Sequence, residues 1–219
     1  MLRHLVPCVR NDMPFAPEKI KAIIFDWGGV FCTPAEPFAL PMLQEAVDMN
    51  VDEIADAVRE LYDDYYKGRY TKETFWPLVL ARLGLKEDAV INVESLNAEY
   101  VSSYQLFPEM LDVAKKLSAN YNVSLLSNLT PDMRDNIRTK HNVQNYFPLD
   151  TYSCDPDVGI LKPDRDIYKI ALKKIAMLPG QCLFIDDSKK NVDAAKAIGF
   201  ETLLFESTEQ CLSALNALL

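Results

Sequence analysis

Hydrophobic positions along the chain fall into two textures. Short unbroken apolar runs bounded by turn residues predict buried strands at Lys21 to Asp26, Asn122 to Leu126, Leu149 to Ser153, Cys182 to Ile185 and Glu201 to Phe205. Elsewhere apolar residues recur every three or four positions, the period of one helix face. That spacing predicts helices over Pro108 to Ser118, after Thr130 and Pro131, over Asp164 to Met177, over Ser188 to Ile198, and at the C-terminal end. In the third of these, Ile167, Ile170, Ala171 and Ile175 share a face. Strands alternating with helices imply right-handed crossovers and a parallel sheet covered on both sides. The fold class is therefore α/β, with a Rossmann-like parallel sheet at its core.

After Cys32 the texture is helical, and no strand is predicted until Tyr121. Val51, Ile54, Ala55, Val58, Leu61, Tyr62 and Tyr65 follow helical spacing. Thr71 can cap a helix carrying Phe75, Leu78 and Val79, and a third helix is expected over Leu96 to Tyr104. The expected organisation is an irregular N-terminal extension over residues 1–18, a core built from 19–32 and 105–219, and a helical block, 33–104, inserted after the first strand.

Composition narrows the chemistry. The 219 residues are 49% hydrophobic and 25% charged, the ordinary balance of a soluble globular chain. No apolar run approaches the roughly 20 residues of a membrane span, and Leu5 to Val9, which contains Pro7, is too short for a signal-peptide core. A formal charge of −9 disfavours nucleic acid, which is held mainly by surplus Lys and Arg. The five cysteines are scattered without a CxxC, so a reducing cytoplasmic setting is the expectation, with neither a disulfide framework nor a zinc site. Only His4 and His141 are histidines, so any catalysis falls to carboxylates.

Ligands of open parallel sheets bind beyond the carboxyl ends of the strands. Four places lie there: Asp26, Ser127 with Asn128, Lys162 with Pro163, and Asp186 with Asp187. Singly, these are ordinary turn residues, a solvated lysine and a helix-start acid pair. Together they place three carboxylates at one edge, where each close pair repels by about 1 kcal/mol or more. A cation is needed to hold them, and an all-oxygen donor set suits Mg²⁺ with a substrate phosphate. Ser127, the amides of Asn128 and Leu129, and the Lys162 ammonium supply the donors and positive charge that a phosphoryl group requires. Gly28 and Gly29 allow close approach of a ligand to the backbone.

Ile23 to Val30 (IIFDWGGV), Leu125 to Asn128 (LLSN), Gly159 to Pro163 (GILKP) and Leu183 to Ser188 (LFIDDS) form an ordered set. With Asn191, Ala194, Ala195 and Gly199, this set resembles the haloacid dehalogenase superfamily of phosphatases and related hydrolases. The resemblance spans about residues 19–219 and implies that 33–104 is a small α-helical cap domain. It further implies that Asp26 is a nucleophile forming an aspartyl-phosphate, with Ser127 and Lys162 as its catalytic partners. Asp26, the Gly28 carbonyl, Asp187 and Asp186 would form the Mg²⁺ site, with Asn191 orienting it. Gly28, Gly29 and Asn128 would contact the substrate, a small phosphorylated metabolite. The glycine-containing first motif resembles relatives of sugar-1-phosphate phosphatases and of the N-terminal domain of soluble epoxide hydrolases.

Position 28 departs from most family phosphatases, which carry an Asp there as general acid and base. A positioned acid contributes roughly 10²–10⁴-fold, so the expected substrates have a good leaving group. Three alternatives stand beside that phosphatase: a catalytically weak phosphate-binding protein, a dehalogenase-type hydrolase, and a phosphonate hydrolase using Lys67 or Lys72. Substrate choice is expected in the helical block, where Tyr62, Tyr65, Tyr66, Lys67, Arg69, Tyr70 and Trp76 concentrate aromatic and basic character, with Arg69 the candidate contact. Glu36, Asp63, Asp64 and Glu73 are candidate replacement acids, and Cys32 a candidate pocket residue. A monomer or homodimer is expected.

Overall fold

The computed structural model describes residues 19–35, 41–86 and 90–216; the 1–18 extension and Glu36 lie outside the described residues. Five strands form one parallel sheet: β1 (Ala22–Phe25), β2 (Asn122–Ser127), β3 (Thr151–Tyr152), β4 (Cys182–Asp186) and β5 (Glu201–Leu204). Their order across the sheet is β3-β2-β1-β4-β5. The central β1 pairs Ala22 with Asn122 on one side and with Cys182 on the other. This register brings Phe25, Leu125 and Ile185 level, so Asp26, Ser127 and Asp186 emerge at one edge.

Successive strand residues face opposite sides of the sheet, and the core divides accordingly. Ile23, Phe25, Leu183 and Ile185 join a cluster with Met110, Ile137 and Leu215. Those three residues come from α5 (Pro108–Leu117), α6 (Pro131–His141) and α9 (Thr208–Leu215). Ala22, Ile24, Cys182 and Phe184 join a second cluster with Ile167, Ala171 and Ala195. Here the partners are α7 (Arg165–Ile175) and α8 (Lys189–Ile198). Helices on both faces confirm the expected α/β architecture.

Between β1 and α5 the described residues form α1 (Pro41–Ala46), α2 (Val51–Tyr66), α3 (Lys72–Leu83) and α4 (Val93–Ser102), with no strand of the sheet among them. Asn50 starts α2 by a reciprocal cap with Glu53. Ile54, Val58, Tyr62 and Tyr65 are its buried stripe. The expected helix over Leu96 to Tyr104 begins earlier, because the Asn92 side chain accepts from Ser95 N at 2.9 Å. It ends earlier because the Ser102 and Ser103 hydroxyls donate to the carbonyls of Ala98 and Tyr100. Likewise the strand expected over Leu149 to Ser153 shrinks to two residues. Ser153 N still donates to the Ser127 carbonyl at 3.0 Å, but the chain turns there, with Asp155 N donating back to the Tyr152 carbonyl at 3.0 Å, and Leu149 is exposed.

The Ser153 hydroxyl donates to the Tyr66 carbonyl at 2.7 Å, one of several contacts between the helical block and the loops and helix beside the sheet. The Tyr65 hydroxyl donates to Asp132, and Asn97 Nδ2 donates to the other Asp132 oxygen at 3.4 Å. Tyr100 and Thr130 share a hydroxyl hydrogen bond of 3.3 Å. Gly68, at φ +72°, lies so close to the core that a Cβ there would meet the Cys154 carbonyl at 2.4 Å.

Candidate active site

Asp26 follows β1 and is 92% buried, since only 8% of its surface is exposed. Three donors converge on its Oδ1: Trp27 N at 2.7 Å, Ser127 Oγ at 2.5 Å and Lys162 Nζ at 2.9 Å. Lys162 also donates to Asp186 Oδ2 at 2.7 Å. Its ammonium thus bridges two carboxylates from adjacent strands. The Lys162 backbone is fixed to the loop after β2: Asn128 Nδ2 donates to the Lys162 carbonyl at 3.0 Å, and Lys162 N donates to Asn128 Oδ1 at 2.9 Å. Asn128 therefore positions the lysine through its side chain.

Electrostatics follow from burial and charge count. Desolvation pushes the Asp26 pKa up to about 6, reinforced by Asp186 and opposed by Lys162 and Ser127. Burial works against the Lys162 ammonium, but Asp26 and Asp186 hold its pKa above the ordinary lysine value. Asp187 lies beyond β4, its pKa raised by partial desolvation and by Asp186. Three carboxylates with oxygens within 4.8 Å of one another face one buried ammonium.

That excess of carboxylate oxygen fits a hard divalent cation. The three acids are not equivalent. Both Asp186 oxygens are already occupied, Oδ1 by Ser188 N and Asn191 Nδ2, and Oδ2 by Lys162 and Asn191. Asp187 carries no such set of donors from Asn191 or Lys162, and it lines the adjoining cavity. Gly29 makes room for it. At φ +77° its missing Cβ would fall 2.0 Å from Asp187 Oδ2.

The cavity, about 210 Å³, is lined by Trp27, Gly28, Cys32, Pro34, Ala35, Tyr66, Tyr100, Tyr104, Asn128, Leu129, Met133 and Asp187. Asp26 and Ser127 each adjoin a lining residue in the chain. Of the aromatic group in the helical block, Tyr66 reaches the cavity, whereas Tyr62, Tyr65 and Trp76 are buried within the block. Tyr65 stacks on Phe75 at 4.1 Å, and the Trp76 indole donates to Asn97. Arg69 is placed away from the lining: it pairs with Asp64 at 2.6 Å and is mostly exposed. Lys72 pairs with Glu94 at 2.8 Å. Neither Asp63, Asp64 nor Glu73 lines the cavity, while Cys32 does, its thiol pKa pushed up by burial to about 12. Sequence reasoning missed Trp27, Tyr100, Tyr104 and Met133 as wall residues. Their helical or loop positions signal burial but not which space they border. The Leu129 amide, expected among the phosphoryl donors, instead donates to Ser153 Oγ at 3.1 Å.

Comparison with known proteins decides the family. A sequence profile for haloacid dehalogenase-like hydrolases matches residues 20–199. The chain belongs to this family. As a haloacid dehalogenase-like hydrolase it is 25% identical over 191 residues to a D-ribitol-5-phosphate phosphatase from Bacteroides thetaiotaomicron, covering 84% of this chain and 90% of that one. It is also 22% identical to bifunctional epoxide hydrolase 2 of Rattus norvegicus, over 90% of this chain but 38% of that protein. Among solved structures, a haloacid dehalogenase family enzyme from B. thetaiotaomicron, in complex with magnesium and inorganic phosphate, superposes with a TM-score of 0.74. That match has 22% identity and covers 88% of this chain and 98% of that one. No helix among the described residues is long and apolar enough to cross a membrane.

Proposed function

We propose that this hydrolase is a Mg²⁺-dependent phosphatase of small phosphomonoesters with a good leaving group, working through an aspartyl-phosphate on Asp26. The observation that carries this reading is the convergence of Ser127, Lys162 and Trp27 N on Asp26 Oδ1, beside the Asp187 carboxylate. Those three donors fix the carboxylate rigidly, and Oδ2, which they do not reach, is the attacking oxygen. It bonds to phosphorus as the phosphorus–oxygen bond to the leaving group breaks, and the leaving group departs with the electron pair. Water then attacks phosphorus, inorganic phosphate leaves, and the Asp26 carboxylate is restored. Lys162 and the Ser127 hydroxyl balance charge on the phosphoryl oxygens in both steps. Asp26, Asp187 and the Gly28 carbonyl would hold the cation, with Asp186 and Asn191 orienting it. When bound, it supplies Lewis-acid polarisation of those oxygens. The related phosphatase and the similarly folded enzyme with magnesium and phosphate support this assignment. In this reading helices α1–α4 act as a cap that keeps water from the phosphoryl group.

Hydrolysis of p-nitrophenyl phosphate with and without Mg²⁺, with chelator and Asp26→Asn as controls, tests it. Metal-dependent turnover that the substitution lowers by at least 10³-fold is expected. Turnover equal in wild type and variant, or halide release in chelator, would overturn it.

A further inference from the structure

The wall of the cavity indicates what the phosphate is attached to. Its aromatic and aliphatic side chains include Trp27, Tyr100, Tyr104, Leu129 and Met133, and the charged side chain among its lining residues is Asp187 at the cation end. Apart from the Trp27 indole N–H, which has no hydrogen-bond partner, the hydroxyls of Tyr100 and Tyr104 and the Asn128 amide are already committed. Tyr104 hydroxyl lies 2.9 Å from Asn136 Oδ1 and 2.7 Å from His141 Nε2. Tyr100 hydroxyl is bonded to Thr130, and the Asn128 amide is used in both directions by the Lys162 backbone. A polyol entering this space would find one unpaired donor, Trp27 Nε1, and would bury its remaining hydroxyls against occupied partners, at about 1–3 kcal/mol for each one left unpaired. A flat apolar group gains dispersion contact with the same wall at no such cost.

A second, independent observation agrees. Position 28 supplies no proton donor, and a Cβ built on it meets nothing within 4 Å, so nothing has moved in to replace the side chain. Leaving groups that depart as anions tolerate this. A phenol ionises near pH 10, whereas an aliphatic hydroxyl resembles bulk water, at about 15.7.

We infer, on the basis of the phosphatase reading above, that the substrates are phosphate monoesters of phenols, with the aromatic ring seated among Trp27, Tyr100, Tyr104 and Met133. Phosphorus is transferred to Asp26 as the aryl oxygen leaves as phenolate, which takes a proton from water. The cavity holds a group of about one ring's size, which favours a small aryl phosphate.

The test separates binding from leaving-group reactivity. Competitive inhibition by phenylphosphonate and methylphosphonate, neither of which is hydrolysed, is measured on the Mg²⁺-loaded enzyme. Initial rates are measured for phenyl phosphate, ribitol 5-phosphate and acetyl phosphate. Phenylphosphonate inhibiting at least tenfold more tightly, with phenyl phosphate at least tenfold above ribitol 5-phosphate in kcat/KM, is the expected result. Equal inhibition by the two phosphonates, or ribitol 5-phosphate matching phenyl phosphate, overturns the inference. Acetyl phosphate tells the two readings apart. Its hydrolysis with phenyl phosphate refused sinks the aryl assignment and leaves the phosphoryl-transfer chemistry on Asp26 standing; refusal of all three compounds sinks both.

Discussion

Position 28 is a vacancy that a side chain could fill without moving a neighbour. Gly28→Asp would place a carboxylic acid beside the leaving group. Its expected effect is a gain of about 10²-fold in hydrolysis of aliphatic phosphates, with little change for phenyl phosphate, read as the ratio of the two kcat/KM values. Position 29 behaves in the opposite way. Gly29→Ala would drive a methyl group into Asp187 and strain a positive φ by about 1–2 kcal/mol. Mg²⁺ affinity, measured by calorimetry, should fall at least tenfold while Ser127 and Lys162 keep their hold on Asp26. His141 gives a residue-level pH effect. Burial and Lys140 lower its pKa below the ordinary 6.5, so the unfolded chain takes up its proton first as pH falls. The stability from neutral His141 is fully present above about pH 6.5 and is lost as pH falls through the folded pKa. Melting temperatures measured from pH 7 to 5 should fall less for His141→Gln than for the wild type; parallel curves would refute this.

At the scale of elements, α6 is the meeting point of the two halves of the chain. Its first turn carries Asp132, which takes hydrogen bonds from α2 through Tyr65 and from α4 through Asn97. Asp132→Ala strands both donors, and a loss of about 2 kcal/mol in denaturant unfolding is expected. Combined with Tyr65→Phe, the losses should be clearly non-additive; simple additivity would show that the two residues do not interact. Asp132 also shows where legibility ends. In the sequence it reads as a favourable acid at a helix start, and only the packing of α2 and α4 onto α6 gives it partners. Strands β1, β2 and β4 were legible because apolar runs ended by Asp or Ser mark both their extent and the residues at their ends, whereas the run that holds β3 was longer than the strand itself. Helix α1 was not legible, being six residues without a long enough pattern. The Arg69 expectation rested on aromatic and basic composition, yet nearby Asp64 neutralises that residue locally. The cavity wall depends on five separate segments converging, which no local spacing encodes.

For the whole molecule, the cluster of Asp26, Asp186 and Asp187 at the sheet edge would couple a bound cation to folding. A cation bound at about 100 times its Kd should stabilise the fold by about 2.7 kcal/mol. A Mg²⁺ titration followed by thermal melting should show this rise, and Asp187→Asn should abolish most of it. A rise of equal size in the variant would place the cation elsewhere.

The sheet order carries a consequence for how the chain comes together. β1 is the first strand made and lies at the centre, yet its partners are residues 122–125 and 182–185. During synthesis Ala22 to Phe25, an apolar segment without charge, must wait until more than four fifths of the chain has been made before both its edges are covered. Contacts so distant in sequence slow folding, and an uncovered strand of this kind invites pairing with another copy. Fragments ending before β4 should therefore aggregate in proportion to concentration, and the helical insertion, closed mainly by local contacts, should gain structure well before the centre of the sheet does.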